Sequence, residues 1–281
     1  MTNAEKPVRT TRTETTKERP MTSGLGIHTQ DHVGWIVLER PDRKNAFTVE
    51  MLDRWAEALR RFQRDDDVRV VVVRGVGDAF CAGADLGQLA DDQATPLDIF
   101  HLMSDSVHQV IRAVEDLTKP YIAAVNGVAV GAGMDMALMC DYRIAAANAT
   151  LSEGYVRVGL VPGDGGAWYL PRLIGRSRAL RLLWTGEFVD ADRAQAWGIV
   201  DEVVPDDEID GRVAGFAHEL AHQPPVAVQM IKRAVGHSEG GDLRASLDLI
   251  AAQQAVVVGT RDSREAMAAF RDRRTPVFEG K

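Results

Sequence analysis

Residues 120–142, Pro-Tyr-Ile-Ala-Ala-Val-Asn-Gly-Val-Ala-Val-Gly-Ala-Gly-Met-Asp-Met-Ala-Leu-Met-Cys-Asp-Tyr, constrain this chain more than any other stretch. Tyr121 to Val125 is apolar and partly β-branched, small residues follow at Gly127, Gly131, Ala132 and Gly133, and Met134 to Cys140 is mostly apolar again. That order predicts a strand, a tight turn and a buried helix. Small side chains at the junction leave the unpaired N–H groups of the helix's first turn open to a ligand, and the helix dipole adds positive potential there. Asp135 would place a carboxylate beside whatever those groups hold. Taken alone, the glycines fit a plain tight turn equally well, with Asp135 an ordinary acidic first-turn residue.

The 281 residues with 45% hydrophobic content suffice for one large core and an appendage. A formal net charge of −8 argues against a generic nucleic-acid surface or an anionic-membrane binder. The two cysteines, Cys81 and Cys140, lie far apart in apolar or small-residue settings. They suggest neither a disulfide framework nor a thiolate metal site, and fit a reducing, cytoplasmic compartment. No run approaches the roughly 18 apolar residues of a membrane span, and the chain begins without an apolar signal region. Residues 1–24, rich in Thr, Arg, Lys and Glu, have the composition of a disordered tail. Glu5, Glu14 and Glu18 count against an organellar transit peptide, and Met21 is a second candidate start.

Leu25 to Glu39 reads as a hairpin broken at Gln30 to His32. Thr48 is a fitting N-cap for a helix carrying Met51, Leu52, Trp55, Leu59 and Phe62 on one face. Val68 to Arg74 suits a fully buried strand, and a loop with Phe80 to Leu86 follows. Phe100 to Leu117 has apolar residues at helical intervals, Tyr142 to Ala146 and Ala149 to Val158 read as short strands, and Gly163 to Gly166 as a turn into a helix. Strands followed by a helix thus recur about every 40 to 50 residues, as stacked units of one core. From Ser177 on, helices dominate: 179–184, 191–197, 208–221, 227–235, 243–258 and 264–271. Pro224 and Pro225 mark a boundary between a core at 25–223 and a helical region at 224–281. That region, with Leu247, Ile250, Val256 and Val257, has more apolar surface than it can bury alone, so self-association is expected.

Two short motifs match by letter. His218-Glu219-Leu220-Ala221-His222 fits H-E-x-x-H, but Pro224-Pro225 break the helix straight after, and a solvated helix face is the better reading than a metal site. Gly236-His237-Ser238-Glu239-Gly240 fits G-x-S-x-G, yet a helix precedes it and no histidine follows Ser238, so a loop joining two helices is expected there. There is no P-loop and no G-x-G-x-x-G. What remains is two small-residue turns, around Ala84 and Ala132, with acids near both. Two backbone N–H groups from separate loops are what an enzyme needs to hold a thioester or ester carbonyl as it becomes an enolate. A carboxylate beside them moves protons at the adjacent carbons.

Ile36 through Ala46, Ala79 through Leu86 and Ala124 through Asp141 together resemble the enoyl-CoA hydratase/isomerase (crotonase) superfamily. Gly159-Leu160-Val161-Pro162-Gly163, Leu170-Pro171-Arg172 and Ala269-Phe270 to Pro276 agree, so the resemblance spans roughly residues 25 to 280. It implies an α/β fold, a crotonase-like spiral of repeated β-β-α units with a C-terminal helical trimerisation region, as a homotrimer or hexamer. It implies an acyl-CoA thioester as substrate, coenzyme A entering only as part of it, and no separate cofactor or metal. The thioester oxygen would be held by the N–H groups of Ala84 and Ala132, the second position being usually glycine in the family. CoA would lie along Ala82, Asp85 and Leu86 with Arg43 or Lys44 at its phosphates, and Phe270 and Arg273 match tail positions that reach a neighbour's CoA site.

The sequence also departs from that pattern. Hydratases of the family usually carry glutamates where this chain has Asp135 and Tyr155, and a phenol with a pKa near 10 is a poor base at neutral pH. Glu153, two residues before Tyr155, would share its face on a strand, and Asp164 lies one residue past a site where some isomerase branches place their acid. Either is a candidate replacement for the missing acid, although Asp164 in Gly-Asp-Gly-Gly also suits a structural turn. The first expectation is hydration of a 2-enoyl-CoA with Asp135 as principal acid/base. A double-bond isomerase using one carboxylate is the runner-up, and a CoA-ester-binding protein with little turnover the third reading. RNA binding, known in one branch, is disfavoured by the acidic balance.

Overall fold

The first hairpin closes through a two-residue turn in which Asp31 and His32 both have positive φ, the backbone twist that antiparallel neighbours favour. In this computed structural model, which describes residues 24–85 and 94–281, β1 (Leu25–Gln30) pairs antiparallel with β2 (Val33–Leu38). The expected tail at 1–24 lies outside the described residues except for Gly24. Helix α1 (Val49–Arg64) starts where Thr48 accepts a hydrogen bond from the Met51 N–H at 3.3 Å. It buries Met51, Leu52, Trp55, Leu59 and Phe62, as their spacing requires.

Three strand pairs then repeat: β3 (Val70–Gly75) with β4 (Ala79–Cys81), β5 (Tyr121–Val125) with β6 (Val128–Val130), and β7 (Tyr142–Ala146) with β8 (Thr150–Ser152). Among the described residues the first strand of each pair joins a six-stranded sheet, β1-β2-β3-β5-β7-β10, and the second a four-stranded one, β4-β6-β8-β9. Here β9 is Val189–Asp190 and β10 is Glu202–Val204. Neighbours from different pairs run parallel. Val70, Val71, Val72 and Val73 are all buried because both faces of the larger sheet are covered, which is why β3 has no polar alternation. Trp55 donates its indole N–H to the Tyr121 hydroxyl at 3.0 Å, tying α1 to β5.

Each pair is followed by helix, giving the crotonase-like spiral of β-β-α units. After β4 come α2 (Pro96–Leu102), a π-turn at Met103–Val107 and α3 (His108–Glu115). After β6 comes α4 (Ala132–Leu138), and after β8 a 3-10 turn (Gly154–Val158), α5 (Gly166–Ile174) and α6 (Arg176–Thr185). The chain continues through α7 (Ala191–Trp197) and α8 (Ile209–Ala221) to α9 (Pro225–Gly240), α10 (Leu243–Val258) and α11 (Arg261–Asp272). The last three leave Ile231, Val235, Leu243, Leu247, Val256 and Met267 exposed in the single chain. Among the described residues no helix is long and apolar enough to cross a membrane.

Three local expectations are corrected. The strand expected at Ala149 to Val158 ends at Ser152, because Gly154 and the residues after it wind into the 3-10 turn. The helix expected from Phe100 to Leu117 is interrupted by the π-turn. Ser238 lies inside α9 rather than in a loop, and its hydroxyl donates to the Ala234 carbonyl at 2.8 Å.

Candidate active site

Because β4, β6 and β8 are adjacent parallel strands, the turns at their ends meet. The first is Ala82-Gly83-Ala84-Asp85. Ala82 donates its N–H to the Lys44 carbonyl, Phe47 to the Gly83 carbonyl and Asp85 to the Phe47 carbonyl, each at 2.9 Å. In that parallel bridge between Phe47 and Ala84 the Ala84 N–H faces away from Phe47. The second turn pivots on Gly131, whose φ of 54° and ψ of −124° few side chains tolerate. Its N–H donates to the Ser152 carbonyl at 2.7 Å, and α4 then begins with Ala132, whose N–H is unpaired by helix geometry. Neither the Ala84 nor the Ala132 N–H has an acceptor among the described residues. The two turns touch: a Cβ on Gly83 would lie 2.8 Å from the Val130 oxygen and 3.4 Å from the Ala132 nitrogen, and one on Gly133 would collide with the Cys81 carbonyl.

Two buried or half-buried asparagines fix this meeting. The Ala79 carbonyl accepts the side-chain N–H of Asn45 at 2.8 Å and that of Asn126 at 3.1 Å. Asn126 also takes the Gly75 N–H on its oxygen at 3.1 Å, so the β5–β6 connection is held to the β3–β4 connection.

The acids gather at the third turn. Asp135 on α4 accepts the Tyr155 hydroxyl at 2.7 Å, and the same phenolic oxygen lies 2.9 Å from Asp164. Asp135 and Glu153 are fully buried and Asp164 is 6% exposed, so water screens little here. Gly166 opens α5 against them: a Cβ there would collide with Asp135 Oδ1 and lie 2.8 Å from both Glu153 oxygens. Burial raises all three carboxyl groups, Asp135 and Glu153 well above the usual range, and mutual repulsion adds to it for those two. The Tyr155 hydroxyl pulls Asp135 and Asp164 the other way. The phenol, buried and facing carboxylates, is itself pushed upward and keeps its proton.

Of the expected site residues, Ala84, Ala132, Asp135, Glu153, Tyr155 and Asp164 are therefore brought together. Glu153 arrives by a different route from the one expected, since it precedes the 3-10 turn instead of sharing a strand face with Tyr155. Arg43 and Lys44 are exposed in the turn around 41–44, where Lys44 pairs with Asp78 at 2.5 Å. The Asp85 carboxylate pairs with Arg40 at 2.8 Å, a partner the sequence did not suggest. Leu86 lies outside the described residues. Phe270 is 84% exposed, and Arg273 closes α11 in the left-handed region. The His218 and His222 rings lie 4.0 Å apart at the end of α8, tilted by 46° to one another, with the His222 Nδ1 2.8 Å from the His218 carbonyl oxygen.

Two contributors escaped the sequence reading. His108 sets its Nε2 3.0 Å from the Gly163 carbonyl and so holds the Asp164 turn, and Gly166 provides the space in which the acids converge. The run of glycines around Asp164 was the available signal for the second; nothing in the sequence marked the first. A buried carboxylate beside two converging main-chain turns can move a proton at a carbon next to a carbonyl held there.

Comparison with known proteins agrees with this geometry. A family model described as enoyl-CoA hydratase/isomerase matches residues 28–281. The chain is 37% identical to the 1,2-epoxyphenylacetyl-CoA isomerase of Escherichia coli (strain K12) over 255 residues, covering 90% of this chain and 97% of that one. It is 33% identical to the 2,3-dehydroadipyl-CoA hydratase of the same organism over 259 residues, covering 92% and 100%. The crystal structure of an enoyl-CoA hydratase from Bacillus anthracis superposes with a TM-score of 0.87 at 33% identity, covering 92% of this chain and 100% of the other.

Proposed function

The chain belongs to the enoyl-CoA hydratase/isomerase family, and from that premise we propose that it shifts a carbon–carbon double bond in an acyl-CoA thioester, with Asp135 as the single carboxylate base. The thioester oxygen accepts hydrogen bonds from the Ala84 and Ala132 N–H groups. Asp135 removes a proton from C2 of a 3-enoyl-CoA, the C2–H electron pair delocalises onto that oxygen as a dienolate, and Asp135 returns the proton at C4. Each amide stabilises the developing charge by about 3 to 4 kcal/mol. CoA runs along Ala82 and Asp85, with Arg43 and Lys44 near its phosphates and Phe270 and Arg273 supplied by a neighbouring copy in a homotrimer or hexamer.

One observation carries the choice of isomerisation. The Tyr155 oxygen lies between Asp135 and Asp164, at 2.7 and 2.9 Å, in the position a water nucleophile would need in order to be held by two carboxylates. A phenol cannot leave to become substrate. Hydration of a 2-enoyl-CoA is the second reading, favoured by Asp164 as a second carboxyl in the same cluster and by the hydratases among the relatives. Turnover of 2-enoyl-CoA and 3-enoyl-CoA in heavy-oxygen water separates them. Double-bond migration without label uptake is expected; label in a hydroxyacyl product would establish hydration instead, and binding of both esters without turnover would favour a CoA-ester-binding protein.

A further inference from the structure

Glu153 is a buried acid for which the proton shuttle above has no use. It caps the 3-10 turn just past β8 and is fully buried, and neither of its oxygens has a hydrogen-bond partner among the described residues. A carboxylate there would have given up water with no donor or cation in exchange, which is the least favourable state for a charge in a protein interior. The acid form removes that conflict, because it carries a hydroxyl donor. An acceptor faces it: Asp135 Oδ1, also buried and without a donor, converges with both Glu153 oxygens on Gly166.

We infer that Glu153 is a neutral carboxylic acid that donates its proton to Asp135 Oδ1, a positioning residue that leaves Asp135 as the one anion of the cluster. The proton inventory around Tyr155 leads to the same state. The phenol owns one proton and lies within hydrogen-bond distance of two carboxyl groups, so if it donates to Asp135 Oδ2, Asp164 must carry a proton to donate back to the phenolic oxygen. Three carboxyl groups then hold two protons and one negative charge, and Asp135 receives a donor on each oxygen. The strong upward displacement of Glu153, beyond that of Asp135, accords with this order. The other titratable groups facing the cluster are Tyr169 on α5, Cys81 on β4 and His108 on α3; burial raises the first two, which therefore add no charge near neutral pH.

The inference rests on the proposed function only in taking Asp135 as the base, and its first test does not involve turnover. The infrared difference between the full-length wild type and E153Q should contain the carbonyl stretch of a buried carboxylic acid, lost in the variant; a carboxylate band in its place would overturn the proposal whatever the reaction. Activity supplies the second test. Glutamine keeps the shape and a donor, so E153Q should turn over within a few-fold of wild type with an unmoved pH profile. E153A should lower kcat with KM nearly unchanged, by roughly ten- to a hundredfold for one hydrogen bond to a charged group. It should also move the acid limb of kcat/KM to higher pH, since Asp135 loses a donor. An acid limb moving to lower pH in either variant would mean that a negative charge had been removed, and the assignment would fall.

Discussion

The two ends of α4 treat carboxylates in opposite ways. Just past its C-terminus, Asp141 accepts the Tyr121 N–H at 2.7 Å and the Lys232 ammonium at 2.6 Å, and nearby Asp201 takes both the Arg143 N–H at 2.8 Å and its guanidinium at 2.9 Å. Near its start, Asp135 meets a phenol and two further acids, with no cation pairing with it among the described residues. Amides and cations engage the oxygens of the acids past the C-terminus, whereas burial among other acids leaves Asp135 poised to change its protonation. Local charge balance thus separates the acids that anchor strands from those that can do chemistry.

Substitutions can break or sharpen that contrast. The largest effect is expected for Asp135→Asn, which should lower kcat by about a thousandfold, within the range for loss of a general base, and leave acyl-CoA affinity nearly intact. Steady-state kinetics with a direct binding measurement decides, and unchanged turnover would remove the assigned base. Gly166→Ala comes next: its methyl runs into Asp135 Oδ1, and overpacking of about 1 to 3 kcal/mol should appear in the melting temperature together with a large fall in turnover. In Tyr155→Phe, Asp135 keeps its burial but loses a donor, so its pKa rises further and the acid limb of kcat/KM should move to higher pH, with kcat down about tenfold.

The remaining effects concern stability. Because folding raises the three buried carboxyl groups, the folded chain retains protons that the unfolded chain releases above about pH 4. Their contribution to stability therefore falls as pH rises from there toward their folded values, and Asp135→Asn should flatten that part of a melting-temperature profile. Asp141→Asn should show the smallest change, about 1 kcal/mol in denaturant unfolding for a partly exposed pair and amide contact, with turnover unaltered. A loss of turnover there matching that of Asp135→Asn would erase the distinction between the two ends.

What could be read in advance follows from the range of the forces involved. The first hairpin, α1 with its Thr48 cap, β5 and the break at Pro224-Pro225 were legible because periodicity and capping are local. β4 and β6 were not, since three residues are too few to show a period and are strands only by pairing with their neighbours, whereas β8 was read but carried too far, to Val158. Ala84, Ala132 and Asp135 could be named from their motifs. The Arg40 partner of Asp85 and the sharing of Tyr155 between Asp135 and Asp164 join residues from different turns, which composition and spacing do not encode.

The Ala79 carbonyl, gripped by side chains from two separate connections, has a further consequence. It ties the spacing of the Ala84 and Ala132 turns to asparagines that lie outside the Asp135–Glu153–Asp164 cluster, so on the proposed reaction carboxyl groups can be exchanged, shortened or replaced by a phenol without loosening the frame proposed to orient the substrate's oxygen. A scaffold built this way can drift among reactions one side chain at a time while the hold proposed for the thioester stays inherited.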